Sequence, residues 1–202
     1  MTAGLTDLRF AVVDIETTGL EPSEHQILQI ALVLCDSSGT VLDTWSSYVK
    51  PPRWPFARLG PRNVHGITWW ALRGAPDTRT ALTSLAERLD GRVFTAHNVD
   101  FDLTFLKQHA ERTGVALPVD SVVCTLTLSR SLDRSGSRSH RLVDLCERYG
   151  VTLERAHDAL EDALATAGIL PHLLEESGIS EATELLAAAA PSARRRPPQR
   201  RA

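Results

Sequence analysis

The chain has 202 residues, 43% of them hydrophobic and 23% charged, with a formal net charge of −3, values typical of one globular domain with a sizeable core. Its three cysteines lie in separate apolar runs without C-x-x-C spacing, which argues against both a disulfide framework and a zinc site. Because no basic-then-apolar leader and no apolar run of spanning length occurs, the sequence predicts a cytoplasmic protein that makes no membrane contact.

The first half of the chain predicts three strands. An apolar run at 8–16 ends in acidic residues, a pattern typical of a buried central strand. Apolar runs at 27–34 and 40–49 are separated by an Asp-Ser-Ser-Gly turn, which indicates an antiparallel hairpin. The prolines at 51–55 predict a loop, and residues 64–68 are expected to precede a short helix.

The rest of the chain alternates between helices and strands. The predicted strands are at 93–96 and 119–123, and the predicted helices are at 78–89, 101–110, 142–149, 159–174 and 181–190. Gly114 and Gly150 are expected to end two helices, and Pro171 should kink or restart the longest one. The Ser- and Arg-rich residues 130–141 predict a mobile loop. A hairpin followed by such alternation predicts an α/β fold, in which helices cover a mixed sheet.

Asp14 and Glu16 lie two residues apart on the first predicted strand, so their carboxylates face the same side of the sheet. On an arbitrary strand such a pair is more often a solvated edge, but here the flanking residues are apolar. Two carboxylates on a buried strand repel each other and are costly to desolvate. A hard divalent cation such as Mg²⁺ removes both penalties.

Two further acidic clusters lie at element boundaries. Asp102 follows His97-Asn98 at a strand-to-helix junction, and Asp162 lies in the first turns of the long helix after His157. Taken singly, a first-turn acid can simply stabilise the helix dipole, and a histidine before a helix can be a capping or surface residue. The three clusters together are far more specific than any one of them.

The order and flanks of these clusters resemble one known family. The matching segments are Asp14-Ile15-Glu16-Thr17-Thr18-Gly19-Leu20, Val64-His65-Gly66-Ile67-Thr68, His97-Asn98 with Phe101-Asp102, and His157 with Asp162-Ala163. They are similar to the DEDDh 3′→5′ exonucleases, especially the proofreading epsilon subunit of bacterial replicative DNA polymerase and its stand-alone relatives. The resemblance covers residues 9–174 and implies a ribonuclease H-like fold, a mixed five-stranded sheet flanked by helices.

The resemblance divides the chain into an exonuclease domain at 1–190, with its core at 8–176, and a tail. The tail, 191–202, is rich in Arg and Pro and is expected to be disordered, either as a nucleic-acid tether or as a solubilising end. One departure from the family is Cys124-Thr125-Leu126, where relatives often have Asp-Thr-Leu. That position is not a metal ligand in the family pattern, so we expect only packing effects.

The resemblance also assigns roles to the site residues. It implies that four acids bind two divalent cations, Mg²⁺ with Mn²⁺ as a substitute, and that His157 is the general base. These acids are Asp14, Glu16, Asp102 and Asp162. Substrate contacts are expected from Thr17, Thr18, Gly19, Leu20, His65, Asn98 and Phe101. Leu20 and Phe101 could instead be core residues. A further set could contact phosphates or form a solvated loop, namely Arg130, Arg134, Arg138 and Arg141.

The implied reaction is two-metal hydrolysis of phosphodiester bonds at the 3′ end of DNA, which releases nucleoside 5′-monophosphates in proofreading or DNA repair. The expected partners are single-stranded or frayed DNA 3′ ends, with a DNA polymerase as a candidate. An exoribonuclease of the same fold is an alternative, although two threonines after Glu16 resemble the DNA branch more closely. A non-catalytic nucleic-acid-binding module is a third reading, and the complete set of five matching residues argues against it.

Overall fold

A computed structural model describes residues 4–52 and 56–191, and the sheet at its centre has five strands in the order β3-β2-β1-β4-β5. The strands are β1 (Phe10–Thr17), β2 (Ile27–Cys35), β3 (Val41–Tyr48), β4 (Val93–Ala96) and β5 (Val122–Cys124). The first three form an antiparallel meander, whereas β4 is parallel to β1 and β5 is parallel to β4. The predicted mixed five-stranded sheet is therefore confirmed. Residues 53–55 of the expected proline loop and residues 192–202 of the expected tail lie outside the described residues.

Helices cover both faces of this sheet. They are α1 (Arg62–His65), α2 (Thr78–Leu89), α3 (Val99–Thr113), α4 (Thr125–Leu132), α5 (Leu142–Tyr149), α6 (Ala159–Ser177) and α7 (Ala182–Ala188). Alternate residues of β1 enter two apolar cores: Phe10 and Val12 pack with α6, while Val13 and Ile15 pack with α2 and α3. No helix in the described ranges combines the length and the apolarity that a membrane span requires.

Helix α4 was not predicted. The predicted loop at 130–141 is wrong for residues 130–132, which form the last turn of α4. Its sequence is rich in Ser and Thr, which have low helix propensity because they compete for backbone hydrogen bonds. Burial of Leu128 in the core stabilises the helix instead. After α4, the Asp133 carboxylate accepts hydrogen bonds from the backbone N–H groups of Ser135, Gly136 and Arg138, at 3.1, 3.1 and 2.8 Å, which shapes this turn.

One other local prediction was wrong, and another was wrong in part. The short helix α1 comes before Gly66 rather than after the 64–68 segment, and Gly66, at φ +66°, ends it in the left-handed conformation that glycine favours. Pro171 was predicted to kink or restart α6; the restart is wrong, because the helix continues to Ser177, and the kink stays a prediction. Leucine and isoleucine side chains on both sides of this proline are fully buried. Their packing offsets the backbone hydrogen bond that proline cannot donate.

Candidate active site and metal centre

A pocket of about 400 Å³ lies at the carboxyl end of β1. The structure brings ten of the predicted site residues into its lining, namely Asp14, Glu16, Thr17, Gly19, Leu20, His65, Phe101, Asp102, His157 and Asp162. Asp14 and Glu16 continue the face of β1 that carries Phe10 and Val12, so they point toward α6. The β-sheet register shifts between Glu16 and Thr17, which separates the strand from the loop that follows it.

Asp102 reaches the pocket because α3 begins directly after β4. Asn98 precedes this helix with φ +68° and ψ 51°, a left-handed conformation that turns the chain sharply from strand into helix. Asp102 lies in the first turn, is only 3% exposed, and accepts hydrogen bonds from its own backbone and from that of Ile15. The Ile15 contact ties the start of α3 to β1, so the two elements fix the position of Asp102 together.

His157 and Asp162 come from the start of α6. Asp158 caps this helix by accepting a hydrogen bond from the Leu160 N–H at 3.1 Å, and Asp162 lies one turn further on. The backbone N–H of His157 donates to Asp162 Oδ2 at 3.1 Å, and His157 has φ +67°, a costly conformation for a residue other than glycine. Ligand atoms of Glu16, His157 and Asp162 all lie within 4.8 Å of one another.

The crowding of carboxylates disfavours their ionised forms. Burial first, and then repulsion from Asp102, Asp162 and Glu16, raises the pKa of Asp14 well above its usual range. Burial, followed by repulsion from Asp162 and Asp158, raises the pKa of Glu16 to about 8. Burial also raises the pKa of Asp162.

For Asp102, burial raises the pKa and outweighs the backbone hydrogen bonds, which lower it. No Lys or Arg is among the described residues that line the pocket, so no side-chain cation there offsets this charge. Four clustered carboxylates without a Lys or Arg beside them are costly to ionise together, which favours the binding of a cation.

The donor set fits divalent cations. Oxygen ligands from a few carboxylates are what Mg²⁺ and Mn²⁺ prefer, with remaining positions left for water and phosphate oxygens. Asp162 Oδ1 is buried and has no hydrogen-bond partner among the described residues, which is unusual for a carboxylate oxygen. A cation would satisfy this oxygen and remove the mutual repulsion of the neighbouring acids.

The predicted substrate contacts differ in their surroundings. Leu20 is 82% exposed at the pocket, so the alternative that it packs in the core is wrong. Phe101 both lines the pocket and packs on Phe105, with ring centroids 5.0 Å apart. His65 is buried, and both of its ring nitrogens are engaged: Nδ1 accepts from the Ile67 N–H at 3.0 Å, and Nε2 donates to the Leu59 carbonyl at 2.9 Å.

Two predicted contacts, Thr18 and Asn98, lie outside this pocket. Thr18 is buried and its hydroxyl faces His25 and the backbone of Gln26. Asn98 lines a neighbouring cavity of about 480 Å³. Neighbouring residues of a loop face different directions, and a motif match does not specify which of them faces the ligand.

His97 is a pocket residue that the sequence did not assign to the site. It lines both cavities, and its ring is fixed by Thr125 Oγ1 at Nδ1 and by the His140 carbonyl at Nε2, each at 3.0 Å. Burial lowers its pKa to about 4, so this ring is neutral at neutral pH. The signal was present in the His-Asn pair, and Thr125 belongs to the segment where the sequence departs from the family.

The four arginines considered as phosphate contacts do not act as one group. Arg130 and Arg141 line the neighbouring cavity, where Arg141 also pairs with Asp144 through its Nε at 2.7 Å. Arg138 pairs with Glu176 at 3.5 Å, and Arg134 is exposed on the turn after α4.

Fold and site together define a class. A ribonuclease H-like sheet that gathers four acids and a histidine at the end of its central strand is the arrangement of a DEDDh nuclease. The RNase_T family model, described as exonuclease, matches residues 11–170, and the chain belongs to this exonuclease family. The prediction that the chain is an exonuclease of this family is therefore confirmed.

Relatives and solved structures agree with this family. The chain is 32% identical over 174 residues to DNA polymerase III PolC-type of Staphylococcus aureus (strain bovine RF122 / ET3-1) and 34% identical over 179 residues to that of Caldanaerobacter subterraneus subsp. tengcongensis. These matches cover 85% and 87% of the chain, which spans only 12% of the length of either relative.

Solved structures share the fold at lower identity. Exonuclease X in complex with 5′ overhanging duplex DNA has a TM-score of 0.68 at 23% identity, covering 90% of this chain and 99% of that one. The zinc-bound E. coli ExoI–ssDNA complex gives 0.74 at 22%, covering 85% and 41%. The nuclease domain of 3′hExo, a DEDDh family member bound to rAMP, gives 0.69 at 19%, covering 83% and 92%.

Proposed function

We propose that this protein is a divalent-metal-dependent exonuclease that hydrolyses the phosphodiester bond at the 3′ end of DNA and releases nucleoside 5′-monophosphates. The observation that carries the proposal is the cluster of four carboxylates in one pocket, with a buried unpartnered oxygen on Asp162 and with His157 beside it. We further propose that residues 1–190 form the exonuclease domain.

Asp14, Glu16, Asp102 and Asp162 would hold two cations, Mg²⁺ by preference and Mn²⁺ as a substitute. When bound, these ions supply an acidified water and stabilise the charge that develops on the leaving oxygen. The carboxylates orient the ions, and their raised pKa values mean that protons compete for the same oxygens.

His157 would accept the proton of the attacking water. Its side chain is exposed at the pocket mouth, while its backbone N–H is held by Asp162, so the ring can reach a water without leaving its anchor. An imidazole is suited to this task because it changes protonation near neutral pH. The new P–O bond forms as the bond to the 3′ oxygen of the shortened strand breaks.

The terminal nucleotide would lie against Leu20 and Phe101, with Thr17, Gly19 and His65 as further pocket walls. Apolar and stacking contacts accept any base, which suits a nuclease without sequence preference. Asn98, Arg130 and Arg141 in the neighbouring cavity would contact the backbone of the preceding nucleotides. Thr18 would act through the backbone of its loop, since its side chain points away from the pocket.

DNA is proposed as the substrate because curated relatives of the chain are DNA polymerases, and because the exonuclease X and ExoI structures contain DNA. On the same grounds we propose a role in proofreading or repair, a polymerase as partner, and the cytoplasmic location predicted from the sequence. RNA is the second candidate, since the 3′hExo structure holds rAMP. The 2′-OH is the group by which the pocket would have to distinguish the two.

A time course on 5′-labelled and 3′-labelled oligonucleotides tests the proposal. It compares DNA with RNA and single with double strands, in Mg²⁺, in Mn²⁺ and in chelator. We expect shortening from the 3′ end with either metal and none in chelator. Faster trimming of RNA would overturn the choice of DNA, and the absence of product under every condition would favour a binding module.

Asp100 provides a matched control for Asp102. Asp102 lines the pocket and is 3% exposed, whereas Asp100 lies two residues earlier, about half a helical turn away, in a separate groove on α3. Asp102→Ala should lower kcat by roughly 10³-fold or more, because it removes a cation ligand. Asp100→Ala should keep nearly the wild-type rate, and equal losses in the two variants would contradict the assignment.

A further inference from the structure

The loop between β1 and β2 carries Leu20 into the pocket, yet Leu20 itself is 82% exposed. An exposed side chain is not held in place by packing, so its position depends on the backbone of the loop. Thr17 Oγ1 donates to the Gly19 carbonyl at 2.6 Å, and Thr18 pairs with Gln26 through a backbone hydrogen bond of 2.9 Å. These hydrogen bonds close the loop. A further contact comes from the His25 side chain.

The half-buried His25 side chain packs against this loop. Its Nδ1 lies 3.2 Å from Thr18 Oγ1, and Thr18 Oγ1 also accepts from the Gln26 N–H at 3.0 Å. The hydroxyl proton of Thr18 can therefore donate to Nδ1 of a neutral His25. The His25 ring lies against Gly19 so closely that a Cβ at residue 19 would come within 2.4 Å of it.

The loop is also confined from two other directions. Gly60, at φ +74°, approaches the Thr18 carbonyl so closely that a Cβ at residue 60 would lie 2.1 Å from that oxygen. On the α3 side, the backbone of His25 lies near the imidazole of His109, a fully buried residue whose Nδ1 is bonded to the Phe105 carbonyl and whose ring stacks on Phe105 at 5.9 Å. His25 thus lies beside the helix that carries Phe101.

We propose that His25 is a positioning residue for the exonuclease reaction: its ring and its hydrogen bond to Thr18 set the backbone that places Leu20 against the 3′-terminal nucleotide. This inference rests on the proposed function. Because His25 does not line the catalytic pocket, its effect is on binding of the terminal nucleotide and not on the chemical step. A side chain at residue 19 would force the His25 ring to move.

Steady-state kinetics on a single-stranded oligonucleotide tests the inference. We expect His25→Ala to raise KM about tenfold while kcat changes by less than about threefold, the signature of lost ground-state binding. His172→Ala is the matched control, since His172 stacks on Tyr149 and lies ten residues beyond Asp162 on α6, about 15 Å along its axis. An unchanged KM for His25→Ala, or a fall in kcat without a rise in KM, would overturn the proposal.

A double-mutant cycle separates positioning from a loss of stability. His25→Phe keeps a ring but not the hydrogen bond, and Thr18→Val removes the hydroxyl. The effect of Thr18→Val on KM should be about fivefold smaller in the His25→Phe background, the size expected for one neutral hydrogen bond. Additive effects would refute the role of the bond.

Failure of the proposed function and failure of the His25 inference give different results. A wild-type protein that digests no nucleic acid would overturn the proposed function. In an active wild type, the affinity for a nucleoside 5′-monophosphate reports on His25 without turnover. His25→Ala should weaken that affinity by the same factor as it raises KM, and an unchanged affinity would overturn the inference. The Tm of every variant is recorded to separate this effect from a loss of stability.

Discussion

Removal of divalent cations should make the stability of this fold depend on pH in an unusual direction. Burial and the neighbouring acids raise the pKa of Glu16 from 4.5 to about 8. A carboxyl group whose pKa is higher in the folded chain than in the unfolded chain favours folding while it is protonated. Its contribution is complete below pH 4.5 and is lost as the pH rises toward 8.

The size of the effect follows from the Glu16 pKa. Each pH unit well below 8 costs about 1.4 kcal/mol of unfolding free energy and the slope falls by half at pH 8, so the step from pH 6 to pH 8 costs about 2 kcal/mol. For a chain of this length that corresponds to a fall in Tm of about 4–8 °C. Asp14 and Asp102, whose pKa values are also raised, act in the same direction.

Cations should reverse this loss because they neutralise the carboxylates without protons. Thermal unfolding followed by circular dichroism, in chelator and in Mg²⁺ at pH 6 and pH 8, measures the difference. We expect Mg²⁺ to raise Tm more at pH 8 than at pH 6. In Glu16→Gln, which removes the titrating group, the pH dependence in chelator should be smaller. A metal-free Tm that is constant or rises between pH 6 and pH 8 would refute the reasoning.

Three further outcomes are expected. His157→Ala should lower kcat about 10²–10⁴-fold if His157 is the general base, and a wild-type rate in a single-turnover assay would assign that role elsewhere. Gly60→Ala should destabilise the fold by about 2 kcal/mol or more in a denaturant titration. Gly91 is the control, since it has a similar φ of +69° but open space around it, and Gly91→Ala should cost about 1 kcal/mol. Equal losses of stability in the two variants would contradict the close contact between Gly60 and Thr18. Deletion of 192–202 should lower the slope of log affinity against log salt by up to about 3.5 if its five arginines contact single-stranded DNA, and an unchanged slope would leave the tail a solubilising end.

The sheet could be predicted from the sequence because its pattern is local. The apolar runs of β1 and β2 and the turn between β2 and β3 indicate strands without reference to the rest of the chain. Helix α4 could not be predicted, since its residues have weak helix propensity and the helix depends on the burial of Leu128. The continuous α6 likewise depends on packing on both sides of Pro171, which no local signal shows.

The acids of the site could be predicted because three motifs carry them, each at a junction that brings it to the same end of the sheet. The contacts around them could not be predicted. Thr18 and Gly19 are adjacent in the motif, yet Gly19 lines the pocket while the Thr18 side chain faces His25. His25 belongs to no motif, and its contact with Gly19 arises only when the loop folds back on itself.

The distribution of charge around the pocket fits the proposal that this acidic chain binds a polyanion. Without cations, the clustered carboxylates would repel a phosphodiester, and none of the described residues that line the pocket is Lys or Arg. Bound divalent ions would invert the sign of the local charge. Arg130 and Arg141 lie one cavity away, so they can attract the preceding phosphates without neutralising the acids that hold the metal. This separation would keep the pocket repulsive to a phosphodiester until metal is bound, and we therefore expect metal binding and substrate binding to be coupled at this site.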